Sequence, residues 1–202
     1  MSLALLFPGQ GSQHVGMGRE LADRIPAARR VFEEADDVLG FGLSRLMWEG
    51  PEDELTETRN AQPAILTHSV AAYTVLRDRL DDAILAAGHS LGEFSAHVAA
   101  GTLRFAEALR AVRLRGDLMS SAGEERPGTM AAVLGLSDDE VEAVCAAVAV
   151  GTCVPANFNS SGQVVISGDR EGVERGMELA LEAGAKRVVE LNVSGAFHSP
   201  LM

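Results

Sequence analysis

The amino-acid sequence predicts an α/β protein with a parallel sheet, followed by a smaller α+β unit. Residues 3–7 form an apolar run that leads into a glycine-rich loop and then a helical pattern. A second apolar run ends at residues 88–92, again before a helical pattern. Between residues 129 and 193, short β-type runs alternate with helical periods. Strands that alternate with helices are typical of sheets whose faces are covered by helices.

The composition excludes several classes of protein. The chain has 202 residues, a length that suits one large or two small domains. Of these, 47% are apolar, which is too large a fraction for a disordered chain. Its net charge of −12 argues against nucleic acid as a partner, because phosphate binding needs a basic face. No apolar run approaches the ~20 residues of a membrane span, and residues 1–7 are too short for a signal peptide. We expect a cytoplasmic protein with no membrane partner, in which residues 1–7 form a buried first strand.

The cysteines and the basic residues have structural interpretations. Cys145 and Cys153 lack metal-ligand spacing, so we expect reduced core thiols rather than a disulfide, and no metal site. An acidic partner would need a local basic patch on this acidic chain, and the alternative is a solvated helix face. The candidates for such a patch are Arg104, Arg110 and Arg113, or Lys186 and Arg187.

The first half is predicted to contain two strands that are each followed by a loop or turn and a helix. The predicted elements are a strand at 3–7, a loop at 8–18, a helix at 19–39, a loop with a short helix at 51–58, a helix at 64–80 after Gln62 and Pro63, a strand after Asp81 and Asp82, a helix that stops at Gly101, and a helix at 105–122. Residues 123–128 are the first clear break in composition.

The second half is predicted to be a self-contained subdomain. Its elements follow the order βαββαβ: strand 129–135, helix 138–149, strand 152–157, turn 160–162, strand 163–167, helix 169–183 and strand 186–193. Ser137 and Asp169 stand where helix N-caps are expected. Because this order is that of a ferredoxin-like module, we expect residues 126–193 to be a ferredoxin-like insertion. The large domain then consists of residues 1–125 and 194–202.

The pentapeptide Gly88-His89-Ser90-Leu91-Gly92 matches the nucleophile elbow G-x-S-x-G. The two glycines of such a turn allow a strand and a helix to pass closely, and the serine oxygen is lifted clear of the sheet at the helix N-terminus. Ser90 is therefore the candidate covalent nucleophile, and the large domain is predicted to be α/β-hydrolase-like.

The glycine-rich loop after the first strand is a candidate anion site. Gly9-Gln10-Gly11-Ser12-Gln13 precedes a predicted helix, where backbone N–H groups favour negative charge. A phosphate loop is the general alternative, but neither G-K-[ST] nor G-x-G-x-x-G spacing is present. These N–H groups can instead serve an oxyanion.

Four blocks occur together and in order. They are the loop Gly9 to Gln13, the elbow Gly88 to Glu93, Arg115 in the following helix, and Gly195-Ala196-Phe197-His198-Ser199-Pro200-Leu201-Met202. Together they resemble the acyltransferase family of fatty acid and polyketide synthesis, which includes malonyl-CoA:acyl carrier protein transacylases. The resemblance extends from Leu5 to Met202, with further support from residues 128–133 and 157–168.

This resemblance implies transfer of a malonyl group from malonyl-CoA to the phosphopantetheine thiol of acyl carrier protein, through an acyl-serine intermediate and with no bound cofactor. It implies that Ser90 is the nucleophile and His198 the general base. The backbone N–H groups of Gln10 and Leu91 correspond to the family's oxyanion hole. The implied substrate-binding residues are Arg115, Phe197, His89 and Asn159.

Several side chains also have simpler interpretations. Arg115 can clamp a free carboxylate with two parallel hydrogen bonds, but an arginine considered alone is more often on a helix surface. His89 either shapes the site or only packs beside it. Glu93 is explained by the dipole at the start of the elbow helix. The histidines interpreted as structural or surface residues are His14, His68 and His97.

The chain differs from the family pattern at its end, because the family's chains continue for a further third beyond the equivalent of His198. We expect that third to supply the acceptor that orients this histidine and to cover apolar surface that is exposed here. The 202 residues are therefore expected to be a fragment, or to receive the missing third from another chain. We expect them to transfer malonyl groups more slowly than the extended chain.

Two other functions remain open. An esterase or thioesterase of the α/β-hydrolase type has the same elbow, but needs an acidic triad member between Ser90 and His198 and often has a His-Gly-Gly-Gly loop, which is absent here. A catalytically silent fragment with a binding role is the second alternative. Faster acyl transfer to a thiol than to water distinguishes the first, and an acyl adduct on Ser90 excludes the second.

Overall fold

The computed structural model describes residues 3–80, 83–193 and 195–202, which fall into two compact units, Met1–Asp117 and Leu118–Met202. Five residues named in the predictions above, Met1, Ser2, Asp81, Asp82 and Ser194, lie outside the described residues. The elements of the first unit are β1 (Leu3–Phe7), α1 (Arg19–Arg24), α2 (Pro26–Leu39), α3 (Leu43–Glu49), α4 (Glu52–Thr56), α5 (Thr58–Leu76), a 3-10 turn (Arg77–Arg79), β2 (Ala83–Gly88), α6 (Gly92–Ala99) and most of α7 (Phe105–Glu125). Strands separated by helices confirm the α/β class.

The two strands of the first unit position the site. β1 and β2 are parallel, and Phe7 lies opposite Gly88. Because both strands end at this level, the loop after β1 and the elbow after β2 leave the sheet at the same carboxyl edge. Ligand sites of α/β proteins lie at such edges.

The prediction that the first strand is buried is wrong. Leu6 in β1 is 77% exposed, and Ile84 in β2 is 71% exposed. A parallel sheet is buried only where neighbouring strands and helices cover both of its faces. Within the described ranges, β1 and β2 pair only with each other.

The single helix predicted at 19–39 is also wrong. The structure has two helices there, because Ile25 is extended, with φ of −126° and ψ of 107°. Pro26, which follows it, disfavours a helical conformation of the preceding residue and is accepted at the first position of a new helix.

The helix predicted at 64–80 begins earlier and ends earlier. α5 starts at Thr58 and runs through Pro63 to Leu76. Since Pro63 has no N–H, it cannot bond to the carbonyl of Arg59, four residues before it. The Arg113 guanidinium donates to that carbonyl instead, at 3.1 Å. A tertiary hydrogen bond thus compensates for the proline and allows the helix to continue.

An apolar cluster holds the helices of the first unit together. Its largest fully buried side chains include Phe32, Leu43, Met47, Leu66 and Leu109. The cluster fixes α5 through Leu66 and α7 through Leu109, and these are the two helices that support the site. None of the described helices is long and apolar enough to cross a bilayer.

The second unit contains a four-stranded antiparallel sheet with two helices. Its elements are β3 (Thr129–Leu134), α8 (Asp138–Ala147), β4 (Cys153–Ser160), β5 (Gln163–Gly168), α9 (Arg170–Glu182) and β6 (Arg187–Glu190), and the strand order is β4-β5-β3-β6. The elements follow the predicted order, with their ends shifted by a few residues. Cys145 and Cys153 are buried free thiols, with their sulfur atoms 3.7 Å apart, as predicted.

Both predicted N-caps of this unit are confirmed. Ser137 and Glu140 form a capping box at the start of α8, in which the Ser137 N–H donates to the Glu140 carboxylate at 2.7 Å. Asp169 caps α9 by accepting from the N–H of Gly172 at 2.8 Å. These helix starts were readable from sequence because a cap depends on neighbouring residues only.

We expect Ser137→Ala to lower the free energy of unfolding by about 1 kcal/mol, because the first turn of α8 loses its cap. Urea denaturation followed by circular dichroism measures the change. Ser121→Ala is the matched control, since Ser121 is exposed in α7, where alanine favours the helix. Equal losses in both variants would contradict a capping role for Ser137.

Candidate active site

Ser90 occupies a strained turn between β2 and α6. Its φ is 52°, a left-handed conformation that a non-glycine residue adopts only at some cost. Among the described non-glycine residues, only Ser90 and His198, with φ of 59°, have positive φ. Backbone strain of this kind concentrates at functional sites, and here it coincides with the two residues predicted to be the nucleophile and the base.

The glycines of the elbow are required by close backbone contacts. A Cβ atom on Gly88 would lie 1.9 Å from the carbonyl carbon of Gly92, and one on Gly92 would lie 2.4 Å from the carbonyl oxygen of Phe7. The strand and the helix therefore approach too closely for any side chain. This geometry is the one predicted for G-x-S-x-G.

The glycine-rich loop lies against the elbow. A Cβ atom on Gly9 would lie 2.6 Å from Nδ1 of His89, and the backbone N–H of His89 donates to the Phe7 carbonyl at 3.0 Å. Gln10 thus follows directly after a residue in contact with the elbow, and its side-chain Nε2 donates to Oγ1 of Thr58 at 3.2 Å. Leu91, the other predicted oxyanion residue, follows Ser90 and has a buried side chain.

Arg115 reaches Ser90, the predicted nucleophile. From α7 its Nη2 donates to Oγ of Ser90 at 3.0 Å, and its Nη1 donates to Oε1 of Gln62 at 2.5 Å. Burial lowers the pKa of the guanidinium, and the carboxylate of Glu93 opposes this shift. Arginine remains charged nevertheless. A cation therefore stands partly desolvated beside the serine, where an anion interacts with it more strongly than in water.

The interpretation of Arg115 as a surface residue is excluded by these contacts. Arg113, two residues earlier, is half-buried: it donates to Oδ1 of Asn60 at 2.9 Å and to the carboxylate of Asp117 at 3.2 Å. Of the three candidate patch residues Arg104, Arg110 and Arg113, the last is therefore engaged in contacts within the first unit. Its charge is used to hold α7 against α5.

The histidines that were interpreted as structural or surface residues include one that contacts a neighbouring side chain and one that is half-buried. His97 faces Oγ1 of Thr102 at 2.9 Å near the end of α6. His68 is half-buried, and burial lowers its pKa. In the part of the chain that the structure describes, no three His, Cys, Asp or Glu side chains form a group able to hold a metal ion.

The remaining predicted residues belong to the second unit. Phe197 is only 5% exposed and packs in an apolar cluster with Met130, Ala132 and Val165. His198 follows it in a turn and is exposed. Asn159 lies exposed on β4.

Sequence reasoning missed Thr58 and Gln62, which touch Gln10 and Arg115. Both are polar side chains inside α5, and both are buried. The available signal was their placement four residues apart, which brings them to the same face of the helix. The predicted helix start after Pro63 placed both residues outside the helix and so concealed this relation.

The fold and the strained serine define an α/β protein with a nucleophile elbow. Residues 4–202 match the family described as "Acyl transferase domain", and the chain belongs to this family. The resemblance seen in the sequence is thereby confirmed.

Similar proteins with curated names include malonyl CoA-acyl carrier protein transacylases. That of Bacillus subtilis (strain 168) is 50% identical over 202 residues, which are 99% of this chain and 64% of that protein. That of Escherichia coli (strain K12) is 47% identical over 201 residues, 98% of this chain and 65% of that protein. The chain therefore spans slightly less than two thirds of the length of these relatives.

Solved structures of similar proteins show the same fold. One is described as a type II PKS acyl-carrier protein in complex with its malonyl-transacylase; it has a TM-score of 0.95 and 46% identity, covering 100% of this chain and 66% of that chain. The acyl-carrier-protein S-malonyltransferase of Bartonella henselae has a TM-score of 0.94 and 47% identity, with the same coverage.

Proposed function

We propose that this chain carries the acylation site of a malonyl-CoA:acyl carrier protein transacylase. The observation that carries the proposal is the 3.0 Å contact between Nη2 of Arg115 and Oγ of Ser90. It places a cation with a planar fork of donors next to the nucleophile. A malonyl group differs from an acetyl group by a terminal carboxylate, which is the group that such a fork binds with two hydrogen bonds.

The reaction proceeds in two half-reactions. Oγ of Ser90 attacks the thioester carbonyl of malonyl-CoA while His198 takes the serine proton. The tetrahedral intermediate collapses, the C–S bond breaks, and the proton passes to the coenzyme A thiolate. The phosphopantetheine thiol of acyl carrier protein then loses its proton to His198 and attacks the carbonyl of the malonyl-serine ester. As this second tetrahedral intermediate collapses, the ester C–O bond breaks and His198 returns the proton to Oγ, which regenerates Ser90 and releases the malonyl thioester.

The oxyanion of each tetrahedral intermediate is assigned to the backbone N–H groups of Leu91 and Gln10. Leu91 immediately precedes α6, whose dipole favours negative charge at this end. Gln10 is held by its side-chain bond to Thr58. Removal of one such donor typically costs about 3–4 kcal/mol of transition-state stabilisation.

The relatives support the choice of substrate and partner. The curated relatives bear the name malonyl CoA-acyl carrier protein transacylase, and one similar structure contains an acyl-carrier protein bound to its malonyl-transacylase. We assign malonyl-CoA and phosphopantetheinylated acyl carrier protein as substrates, with no bound cofactor, and the cytoplasm as location. His89 and Asn159 are assigned to substrate binding.

The domain organisation is also proposed. Residues 126–193 are a ferredoxin-like subdomain, supported by the antiparallel order β4-β5-β3-β6 with α8 and α9 as connections. Residues 1–125 and 194–202 belong to an α/β-hydrolase-like large domain, supported by the parallel strands and the elbow.

Intact-mass measurement after incubation with malonyl-CoA tests the function. We expect a malonyl adduct that peptide mapping places on Ser90, and its transfer to phosphopantetheinylated acyl carrier protein. Transfer to the thiol should be faster than hydrolysis. Faster hydrolysis would favour a thioesterase, and absence of any adduct would favour a binding role.

We expect Phe197→Ser to raise the use of methylmalonyl-CoA relative to malonyl-CoA by about 10-fold, because the ring next to His198 crowds an α-methyl group. The variant should also melt at a lower temperature, since Phe197 is buried. Competition between the two thioesters measures the ratio. Val165→Ala, which loses volume from the same cluster, is the control and should lower the melting temperature without changing this ratio. An equal change of the ratio in both variants would contradict a specificity role for Phe197.

A further inference from the structure

Arg115 can bind a carboxylate only if its long side chain is held in place. An arginine side chain carries about 2 kcal/mol of rotamer entropy, so an unsupported guanidinium samples many positions. Here Nη1 is bonded to Oε1 of Gln62, while Nη2 faces Ser90. The bond to Gln62 thus fixes one arm of the fork and directs the other to the nucleophile.

Gln62 is itself rigidly placed. Its relative exposure is 0%, and it lies in the second turn of α5, whose neighbouring apolar residues belong to the core. A neutral amide is suited to this position, because it accepts a hydrogen bond from the guanidinium without cancelling its charge. A carboxylate at the same place would hold the arginine equally well, but would compete with an anionic substrate.

The helix that carries Arg115 is held closely against α5. A Cβ atom on Gly116 would lie 2.8 Å from the Cα of Arg59 and 3.1 Å from the carbonyl oxygen of Thr58. Arg113 adds its bonds to Asn60 and to the Arg59 carbonyl. The close contact of Gly116 with α5 therefore fixes the backbone of Arg115 near Gln62, and the packing of α5 in the apolar core fixes Gln62 itself.

We propose that Gln62 is the positioning residue that holds the Arg115 guanidinium for an acyl carboxylate, and that it thereby sets the preference for malonyl over acetyl groups. This inference rests on the proposed function. Loss of the Gln62 contact leaves the serine and its base in place, so acetyl transfer, which needs no carboxylate clamp, continues.

The test compares rates of acyl-enzyme formation with malonyl-CoA and acetyl-CoA, read by quenched-flow intact mass. Gln62→Met keeps the length of the side chain and removes the acceptor, and we expect the malonyl-to-acetyl ratio of kcat/KM to fall about 10-fold. Gln62→Glu keeps an acceptor and adds a competing charge, and the ratio should also fall, mainly through a higher KM for malonyl-CoA. A purely structural role would move both substrates together.

A double-mutant cycle identifies the route of the effect. In an Arg115→Ala background, Gln62→Met should leave the ratio unchanged, because the residue through which it acts is absent. Thr67→Val is the matched control: Thr67 is fully buried in the same helix, and its hydroxyl bonds to the carbonyl of Pro63 at 2.8 Å. This variant should retain the wild-type ratio.

The outcomes separate the two claims. A wild-type protein that forms no malonyl-serine adduct overturns the proposed function itself. A wild-type protein that forms the adduct and discriminates, while the Gln62 variants keep its ratio, overturns the role of Gln62 alone. If Gln62→Met fails to fold, the near-isosteric Gln62→Glu decides the question, since an unchanged ratio in that variant is equally contradictory.

Discussion

Ser90→Ala is expected to abolish malonyl-enzyme formation, with a rate loss of about six orders of magnitude, as is typical when a serine nucleophile is removed. The hydroxyl supplies the only atom of the elbow that can form the ester. The alanine variant should remain folded, although it keeps the strained φ of 52° and loses the hydrogen bond that Oγ accepts from Arg115. Intact-mass measurement after incubation with malonyl-CoA records the adduct.

Ser95→Ala is the matched control for this variant. Ser95 lies on α6, is fully buried, and its hydroxyl has no hydrogen-bond partner among the described residues. Its removal should leave acylation unchanged and stability unchanged or slightly higher, because an unsatisfied buried hydroxyl is lost. A malonyl adduct that persists on the Ser90→Ala variant would refute the assignment of the nucleophile.

Arg115→Ala is expected to reduce acylation by malonyl-CoA about 30- to 1000-fold, while acylation by acetyl-CoA changes little. A charge-assisted bidentate pair in a site shielded from water contributes about 2–4 kcal/mol. Only the malonyl group has the carboxylate to form it. Arg115→Lys keeps the charge without the fork and should lie between the alanine variant and the wild type.

Arg110→Ala controls for the general loss of positive charge from α7. Arg110 is exposed on the same helix, so its removal should leave the malonyl-to-acetyl ratio unchanged. The ratio of kcat/KM values for the two thioesters is the measurement. Equal losses for both substrates in Arg115→Ala would show that Arg115 is structural rather than a carboxylate clamp.

Local features were the ones that sequence predicted well. The turn at Ser90, the caps at Ser137 and Asp169, and the stop at Gly101 each depend on backbone conformations or hydrogen bonds that involve only neighbouring residues. The break at Ile25 belongs to the same class. Pro26 causes it by disfavouring a helical conformation of the residue before it, so a local rule decides this boundary too.

Other features depended on residues far apart in the chain. α5 continues through Pro63 because the guanidinium of Arg113, 54 residues from Arg59, donates the hydrogen bond to the Arg59 carbonyl that Pro63 cannot donate. The contacts that make Arg115 a candidate substrate-binding residue are with Ser90, 25 residues away, and with Gln62, 53 residues away. The pattern of residues within one helix cannot predict such contacts, because it does not show which other helix packs against each face.

By itself, therefore, the sequence determined the α/β class, the order of elements in the second unit and the turn that carries Ser90, because short-range sterics and capping decide those. Only the tertiary structure decided that Arg115 points at Ser90, that Gln62 holds it, and that Leu6 and Ile84 are exposed rather than buried. The physical reason is that burial and side-chain contacts are properties of packed pairs of elements. The sequence of a hydrophobic strand or a charged helix position therefore does not fix its burial or its contacts, because these also depend on the element that packs against it.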